Sequence, residues 1–483
     1  MADNTKIWPI FRWANWGLSD DLFTGIKNSF YYSDNIEIRQ NSKAIYPCYR
    51  PNYQSQTVNG MPVCMLYHNA YWYIFTDEWK IYKTLVYDET TELSPNVDFW
   101  KIYDAELFWD YFYFTTDKWL FQISKNAPDS DWNNIDTTSP LLALNSWYWY
   151  YPLLTTSTQL VVGNGNEIMK VTREIQTTAQ SWFTLPDWYE VRFIDELWAY
   201  TRITADDWFY WTEIELWDWV SSARTEVIPL AWYHIFGSII FQWYHYLLSD
   251  KWLWLLNWYQ FYTLKKIRIS NQYVNNNMCV HDEKLYIVLP WSDWTTSWVY
   301  VYWAKNKNYN DVLAQQWSWR YWCIFSSWRT LILARGLTSP VWYYELWELE
   351  NNVPWIWAWN NKDWELWTMA YFGNSLSEIK QAMYLRVWYE IASWWNIKVY
   401  YRTEVDWYWL NPSETVTWHE LTQPWWLTNE SDMRSPFATS LKLNCRFQRI
   451  QFKFVLTQWN TNSFKTRTTY LYSADLYYND MLD

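Results

Sequence analysis

Glycine is scarce in this sequence, which has 8 glycines among 483 residues, whereas average usage is about 7%. The chain as written therefore has few residues that enter the left-handed backbone region without strain. It also lacks the glycine-rich phosphate-binding P-loop and the G-x-S-x-G turn that presents a nucleophilic serine. Nucleotide chemistry and acyl transfer are not expected.

Cysteine and histidine are also few. The cysteines are widely spaced and form no C-x-x-C pair, so neither a disulfide framework nor a zinc site is predicted. The histidines form no H-E-x-x-H or H-x-E pair. These residues are Cys48, Cys64, Cys279, Cys323, Cys445, His68, His234, His245, His281 and His419. We predict no catalytic, cofactor-binding or metal-ligating residues, no cofactor and no enzymatic activity.

Positive charge is in deficit, with a net charge of -13 and a pI near 5.0. A general nucleic-acid or anionic-membrane binder is not expected, because either partner would be repelled over most of the surface. The N-terminal stretch has no basic region followed by an uninterrupted apolar run, so no export is predicted. Residues 230–248 approach membrane length, but their polar residues predict two short strands flanking a turn.

Tryptophan is present in large excess, at 47 residues, against an average of about 1%. In "FTDEWKIY" (75–82), Trp79 stands where a three-residue hairpin loop with a G1 bulge favours glycine at positive φ. "TTDKWLF" and "LSDKWLW" place Trp119 and Trp252 in the same position. We therefore interpret most tryptophans as a decoding artefact. A codon read as glycine in the organism, most simply UGA, is translated as tryptophan, as the code of certain uncultured bacteria and their phages would produce.

The alternative is a genuinely tryptophan-rich protein, such as a lectin whose indoles stack on sugar rings. Sugar-binding tryptophans would recur at one position per repeat and would not replace the glycine of nearly every turn. A minority of the tryptophans are still expected to be authentic, with candidates in apolar strand-like contexts at Trp211 and at Trp317 or Trp319.

Repeats indicate the fold class, which is all-β. Residues 67–82 align without a gap to residues 107–122, each copy holding a strand, a D-x-W turn and a second strand. Further turns recur at about 35 to 48 residues, the size of a four-stranded propeller blade. We predict a β-propeller of six or seven blades over residues 60–375.

The two ends of the chain do not share this repeat. Residues 1–59 predict an N-terminal arm that completes the last blade or docks on a neighbouring subunit. Residues 376–483 contain longer alternating strands and predict a C-terminal β-sandwich. Around residue 450, Phe447, Arg449 and Gln451 alternate with Gln448, Ile450 and Phe452, which predicts one wet and one dry face.

Several stretches resemble a known family. "VHDEKLYIVLP" with "WVYVYWAKNKN" (280–308) and "RYWCIF" are similar to propeller blades of phage tail accessory proteins, especially the packaged-DNA stabilisation protein of short-tailed phages. The C-terminal "CRFQRIQFKFVLTQ" and "LYSADLYY" resemble the β-sandwich that ends such proteins. "NSFYYSDNIEIR" resembles the opening of many phage structural proteins. Residues that fit the R-x-x-R-I-x-F-K pattern, with the arginine spacing one residue different, are Arg446, Arg449, Ile450, Phe452 and Lys453.

The resemblance implies a non-enzymatic virion structural protein at the tail or head–tail junction. It implies assembly in a homo-oligomeric ring, contacts with connector or tail components, help in retaining packaged DNA, and localisation in the virion after assembly in the host cytoplasm. No membrane span and no sequence-specific nucleic acid are expected. The rival classes are a carbohydrate-binding propeller, as a lectin or tail-fibre receptor-binding module, and, more weakly, a propeller hydrolase.

Overall fold

A computed structural model gives the protein's structure for part of the chain. The residues described are 5–12, 30–34, 36–39, 44–47, 52–85, 90–93, 101–135, 140–145, 148–173, 178–197, 200–207, 211–217, 226–231, 234–250, 252–257, 259–266, 277–281, 283–290, 297–303, 312–319, 321–326, 330–336, 343–350, 364–371, 378–390, 395–404, 417–421, 437–458 and 470–480. Over these residues the fold is all-β, with one five-residue helix.

The N-terminal part contributes five strands. They are β1 (Lys6–Arg12), β2 (Phe30–Asp34), β3 (Ile36–Arg39), β4 (Ala44–Pro47) and β5 (Asn52–Asn59). Strands β1, β2 and β4 pair with strands from the C-terminal part of the chain, β3 pairs with β4, and β5 pairs with a strand at residues 343–350.

Four-stranded antiparallel sheets follow in chain order. Sheet 1 is β6 (Pro62–His68), β7 (Tyr71–Thr76), β8 (Ile81–Leu85) and β9 (Thr91–Glu92). Sheet 2 is β10 (Ile102–Phe108), β11 (Tyr111–Thr116), β12 (Trp119–Ser124) and β13 (Leu142–Ala143), with helix α1 (Asp129–Asn133) before its last strand. Sheet 3 is β14 (Leu153–Thr155), β15 (Gln159–Asn164), β16 (Glu167–Thr172) and β17 (Gln180–Thr184).

The pattern continues through four more sheets. Sheet 4 is β18 (Tyr189–Leu197), β19 (Tyr200–Asp207), β20 (Trp211–Trp217) and β21 (Glu226–Ala231). Sheet 5 is β22 (Ile235–Phe241), β23 (Tyr244–Ser249), β24 (Trp252–Asn257) and β25 (Gln260–Lys266). Sheet 6 is β26 (Met278–His281), β27 (Lys284–Pro290), β28 (Ser297–Trp303) and β29 (Val312–Trp319). Sheet 7 is β30 (Tyr321–Ser326), β31 (Thr330–Gly336) and β32 (Tyr343–Glu350), completed by β5.

These sheets follow one another in a circle. Each sheet's first strand contacts a strand of the next sheet, from β6 with β10 through to β26 with β30, and β30 in turn contacts β6. Apolar clusters fill the joints between sheets 1 and 2, 2 and 3, 3 and 4, and 4 and 5. Another cluster joins sheet 7 to sheet 1, where Cys323 Sγ also donates to the Pro62 carbonyl oxygen at 3.0 Å. A circular series of four-stranded meanders is the architecture of a β-propeller.

Strand β5 closes this circle because it supplies the fourth strand of sheet 7 from the other end of the sequence. Its Val58 is buried in the apolar cluster shared by sheets 7 and 1, whereas the neighbouring Thr57 is exposed. Side chains alternate between the two faces of a strand, which explains the contrast. The joint therefore depends on a residue about 270 positions away from its partners Cys323 and Ile332.

Val58→Asp is expected to lower the free energy of unfolding by at least about 3 kcal/mol, because it buries an uncompensated carboxylate in the closing joint. Thr57→Asp places the same charge on the exposed face, opposite Glu345 on β32, and should lower stability by less than about 1 kcal/mol. Urea unfolding of the two variants measures the difference. Equal losses would mean that β5 does not close the circle.

By internal packing the chain falls into two units. One comprises residues 51–297 and 319–351, and the other comprises residues 1–50, 298–318 and 352–483. The second unit contains the C-terminal strands β33 (Trp364–Thr368), β34 (Lys380–Glu390), β35 (Trp395–Thr403), β36 (His419–Glu420), β37 (Phe437–Phe447), β38 (Ile450–Gln458) and β39 (Tyr470–Asp480). They form a five-stranded sheet, β2-β33-β38-β35-β36, and a six-stranded sheet, β3-β4-β39-β34-β37 with β1 on β39.

The predicted wet and dry faces around residue 450 are wrong. Gln451 is fully buried beside Ile450 and Phe452, and Phe447 is buried as well. Gln451 accepts a hydrogen bond from Arg402 Nε at 2.6 Å and donates to the Thr368 carbonyl oxygen at 2.6 Å. A central strand buried on both faces does not alternate, and a polar side chain is tolerated there once its hydrogen bonds are satisfied.

The turn prediction is confirmed at one of its three tryptophans. Trp79 has φ of +56° in the loop between Thr76 and Lys80. Trp119 and Trp252 are instead the first residues of β12 and β24, and neither is among the described residues with positive φ.

The difference is one residue of loop length. Thr116 Oγ1 accepts the Trp119 N–H at 3.0 Å, so only two residues separate these bonded positions. Thr76 Oγ1 accepts the Lys80 N–H at 3.2 Å, with three residues between them. The gapless alignment therefore fails by one residue after the turn, and Trp119 corresponds to Lys80.

Left-handed tryptophans also occur in two hairpin turns outside the repeated D-x-W pattern. Trp109 (φ +52°) lies in the hairpin turn between β10 and β11, and Trp243 (φ +73°) lies in the turn between β22 and β23. Two-residue hairpins of this kind require positive φ. The latter turn also confirms that residues 230–248 contain two short strands, β22 and β23, on either side of a turn.

Candidate functional site

The histidines are dispersed over the described structure. His68 and His281 end the first strands of sheets 1 and 6, His245 lies in β23, and His419 lies in β36. Within the described ranges, no group of three or more His, Cys, Asp or Glu side chains has the geometry to hold a metal ion. Cys64, Cys279 and Cys323 are buried, as small apolar residues would be.

A serine, a histidine and an aspartate meet between sheets 4 and 5. Ser238 Oγ lies 2.5 Å from His245 Nε2 and also hydrogen-bonds to an Asp195 carboxylate oxygen, which is 3.3 Å from the same ring nitrogen. A hydrolytic triad needs the acid on one imidazole nitrogen and the nucleophile on the other. Here both use Nε2, while Nδ1 is buried with no hydrogen-bond partner among the described residues. The arrangement therefore does not have the geometry of a hydrolytic triad.

Burial keeps this histidine neutral. His245 is fully buried, and desolvation lowers its pKa, an effect that the hydrogen bond and charge of Asp195 oppose. Sequence reasoning missed the cluster because its members lie on three strands and about 7 to 50 positions apart. The cluster is a polar contact within the joint between two sheets.

Arg192 connects three consecutive sheets. It sits at a register shift in β18, and its side chain is 5% exposed. Its guanidinium pairs with the Asp206 carboxylate, donates to the Tyr150 hydroxyl at 2.8 Å and donates to the Ile235 carbonyl oxygen at 3.3 Å. Tyr150 precedes sheet 3, Asp206 belongs to sheet 4 and Ile235 to sheet 5. A bulge aims a side chain out of the regular alternation, which gives Arg192 this reach.

Three carboxyls reach the segment that enters sheet 3. Asp104, on β10, accepts the Leu153 N–H at 2.8 Å. Glu106, on the same strand, lies beside the Thr155 side chain, whose Oγ1 donates to the Leu107 carbonyl oxygen at 3.5 Å. From the other side, the Glu190 carboxylate accepts the backbone N–H groups of Trp149 and Tyr150, the latter at 2.6 Å.

Burial perturbs all three acids. Desolvation raises the pKa of Asp104 to about 7, although the N–H groups of Leu153 and Ala105 oppose it. Desolvation, aided by the charge of Asp104, raises the pKa of Glu106 to about 8. Desolvation raises the pKa of Glu190 to about 7 against two backbone N–H bonds. Perturbed acids mark functional candidates, but structural networks perturb acids too, and these carboxyls bind backbone groups of a neighbouring sheet.

Exposed indoles are spread over different turns. Trp243 is 71% exposed at the hairpin of sheet 5, and Trp109 is exposed at the equivalent hairpin of sheet 2. Trp188 and Trp149, which are 69% and 66% exposed, lie in the connections that lead into sheets 4 and 3. Other indoles are buried in the core, including Trp72, Trp132 and Trp217.

Comparison with known proteins finds likeness in fold only. No protein-family model matches the chain, and no curated protein matches it. The chain is similar to the solved WD40 β-propeller domain of Doa1, at 8% identity and a TM-score of 0.42, over 63% of this chain and 96% of that one. It is also similar to the Dos1 propeller, at 12% identity and a TM-score of 0.42, over 63% and 95%. The propeller assignment rests on the circular order of the sheets.

Another solved structure, of YCF48 bound to D1 peptide, gives 6% identity and a TM-score of 0.42 over 63% of this chain and 96% of that one.

As for membranes, the described residues contain no helix with the length and hydropathy needed to cross a bilayer.

Proposed function

We propose that this chain is a non-enzymatic structural protein of a phage virion, located at the tail or head–tail junction. It assembles as a homo-oligomeric ring against other virion proteins and helps to retain packaged DNA. In this proposal the seven described four-stranded sheets are the propeller blades, and the two sheets that contain β33 to β39 are the C-terminal β-sandwich. The family resemblance of residues 280–308 and of the C-terminal strands motivates the proposal.

One observation carries the structural role: interior polar side chains bind the backbone of the adjacent sheet. Cys64 Sγ donates to the Ala105 carbonyl oxygen at 2.9 Å, linking sheets 1 and 2. Thr115 Oγ1 donates to the Tyr151 carbonyl oxygen at 2.8 Å, linking sheet 2 to the segment that enters sheet 3. Hydrogen bonds of this kind hold adjacent sheets in fixed positions. A rigid, circular β assembly with few free sheet edges suits a structural component of a virus particle.

We also propose that tryptophan at left-handed bends stands for glycine in the natural protein. Trp79, Trp109 and Trp243 have φ between +52° and +73°. An L-residue pays strain energy in this region, whereas glycine does not. A virion protein of a phage that reads UGA as glycine would give this pattern when translated with the standard table.

Trp109→Gly and Trp243→Gly together are expected to raise the free energy of unfolding by about 1 kcal/mol, because release of the left-handed strain exceeds the entropy that glycine adds to the unfolded chain. Trp188→Gly is the control for Trp243, since Trp188 is 69% exposed and Trp243 71%, but Trp188 has no positive φ; Trp109 is 39% exposed. Trp188→Gly should lose about 0.5–1 kcal/mol. Guanidinium unfolding measures all three, and a loss at the left-handed positions as large as at Trp188 would contradict the glycine assignment.

A second candidate, a carbohydrate-binding propeller, is favoured by the exposure of Trp149, Trp188 and Trp243. Exposed indoles stack on sugar rings. Against it, these indoles belong to the surroundings of three different sheets and do not recur at one position per repeat.

The experiment that separates the two is light scattering and electron microscopy of the purified chain, together with binding to a glycan array. The virion proposal expects closed rings of several copies and no glycan binding. A monomer that binds glycans, and loses them on Trp149→Ala with Trp188→Ala, would overturn it in favour of the lectin.

A further inference from the structure

One short stretch of the chain is contacted by carboxyl groups from both of its neighbouring sheets. The clamped segment, residues 149–155, enters sheet 3 and contains β14. Sheet 2 contacts it through Asp104, which accepts the Leu153 N–H, and through Glu106, whose carboxyl lies beside the Thr155 side chain. Sheet 4 reaches it through Glu190, which accepts the N–H groups of Trp149 and Tyr150.

Among the described residues, Arg192 is the one positive group that acts on the three carboxyls. Glu190 is buried, and Asp104 and Glu106 are half-buried with their carboxyls turned to the joint. Of the positive groups, Arg192 acts on Glu190 but is itself paired with Asp206. Titratable groups that face the carboxyls are Cys64, Tyr103, Tyr148, Tyr151, Arg192 and Asp206. Burial raises the pKa of Cys64 and of the three tyrosines, so these groups stay neutral while the acids titrate.

We propose that this three-carboxyl clamp makes the joints on both sides of sheet 3 sensitive to pH, so that the clamped segment is held firmly in mildly acidic solution and loosens in alkaline solution. The reason is geometric. The carboxyls lie in the joints between sheets, where water is partly excluded from Asp104 and Glu106 and largely excluded from Glu190, so each ionised group regains full hydration when the joint opens. Because three such groups act on seven residues, they favour opening of the same segment.

The direction follows from where the protons bind. The folded-state pKa values of about 7 for Asp104, about 8 for Glu106 and about 7 for Glu190 lie above the ordinary values of 3.8 and 4.5. The folded state therefore holds more protons than the unfolded state between these limits. The stabilisation is fully present below the ordinary values and is lost as pH rises through 7 to 8.

Hydrogen exchange tests the proposal on the full chain. Exchange of the amides in 149–155 is measured at pH 6 and pH 9 and corrected for the intrinsic pH dependence of exchange. Protection of these amides should fall by at least about tenfold at the higher pH, since one unit of pKa difference corresponds to a tenfold change in an equilibrium. Amides of β31, in sheet 7, should keep their protection.

The variant that removes the charge is Asp104→Asn with Glu106→Gln and Glu190→Gln, in which every side chain keeps an oxygen acceptor. Its 149–155 amides should show equal protection at both pH values. The matched control neutralises two outer acids, Glu92→Gln with Asp129→Asn, which form solvent-exposed ion pairs with Lys80 and Lys83. This control should retain the tenfold loss.

If the triple variant does not fold, Glu190→Gln alone is compared at the amides of Trp149 and Tyr150, where it should abolish the pH dependence locally. Constant protection in the parent chain would overturn the proposal, as would a neutralised variant that loosens like the parent. The virion role does not depend on this clamp and would survive its failure.

Discussion

Arg192→Met lowers the free energy of unfolding by about 3–5 kcal/mol, which is the expected cost of leaving a buried carboxylate without its ion-pair partner. The carboxylate is that of Asp206, which also accepts a hydrogen bond from the Thr212 hydroxyl at 2.6 Å. The same change deprives the Tyr150 hydroxyl and the Ile235 carbonyl of their bonds to the guanidinium. The joints with sheets 3 and 5 therefore each lose a hydrogen bond. Urea unfolding measures the loss of free energy of unfolding.

The control for this prediction is Arg173→Met. Arg173 is exposed, and its guanidinium lies 3.7 Å from the ring centroid of Trp109. Exposed cation–π contacts contribute roughly 0.5–1 kcal/mol, so the loss should stay below about 1 kcal/mol. Addition of Asp206→Asn to Arg192→Met should recover part of the lost stability, because the unpaired charge is then gone. If both arginine variants lose the same small amount, Arg192 does not tie the sheets together.

Trp217→Gly also destabilises the chain by about 3–5 kcal/mol or more, the range found for truncation of buried aromatic residues to alanine. Trp217 is fully buried in the joint of sheets 3 and 4, with ring centroids 4.2 Å from Trp182 and 5.6 Å from Phe183. Removal of its indole leaves a cavity that strands on both sides cannot fill without moving.

The contrast between Trp217→Gly and Trp243→Gly sorts authentic from artefactual tryptophans. The first position is buried in a strand, and the second is exposed in a left-handed turn. Thermal unfolding should therefore shift in opposite directions for the two variants. A chain that tolerates glycine at 217 as well as at 243 would show that the buried indoles are no more native than the exposed ones.

The repeat of the hairpins was predicted from the sequence, whereas completion of the last sheet by residues 1–59 was predicted only as one of two alternatives, and the pairing of β5 with β32 is the one observed. Strand–turn–strand patterns at residues 67–82 and 107–122 follow from local propensity, and the structure places equivalent strands there. The pairing of β5 with β32 joins segments nearly three hundred residues apart. No local pattern specifies such a partner, because only the buried face of Val58 and the free edge of sheet 7 select it.

The hydrogen bonds and ion pair of the polar interior could not be predicted from the sequence for a related reason. Arg192, Asp206 and Tyr150 look like ordinary strand or loop residues in the sequence, and only the bulge in β18 brings them together. Loop length made the turn prediction wrong at Trp119 for the same reason. The loop that contains Trp79 is one residue longer than the loop before Trp119, and this extra residue decides which tryptophan is left-handed. Backbone geometry of this kind depends on hydrogen bonds that composition does not show.

Peptide mass spectrometry of the protein from its natural source tests most directly whether left-handed tryptophan stands for glycine. The peptide of residues 102–118 contains one tryptophan, Trp109, and should appear at a mass lower by the difference between a tryptophan and a glycine residue. Fragment spectra should show the same replacement at Trp79 and Trp243 but an intact tryptophan at Trp217. Detection of unaltered tryptophan at all of the left-handed positions would contradict the glycine assignment and leave a true aromatic-rich binder.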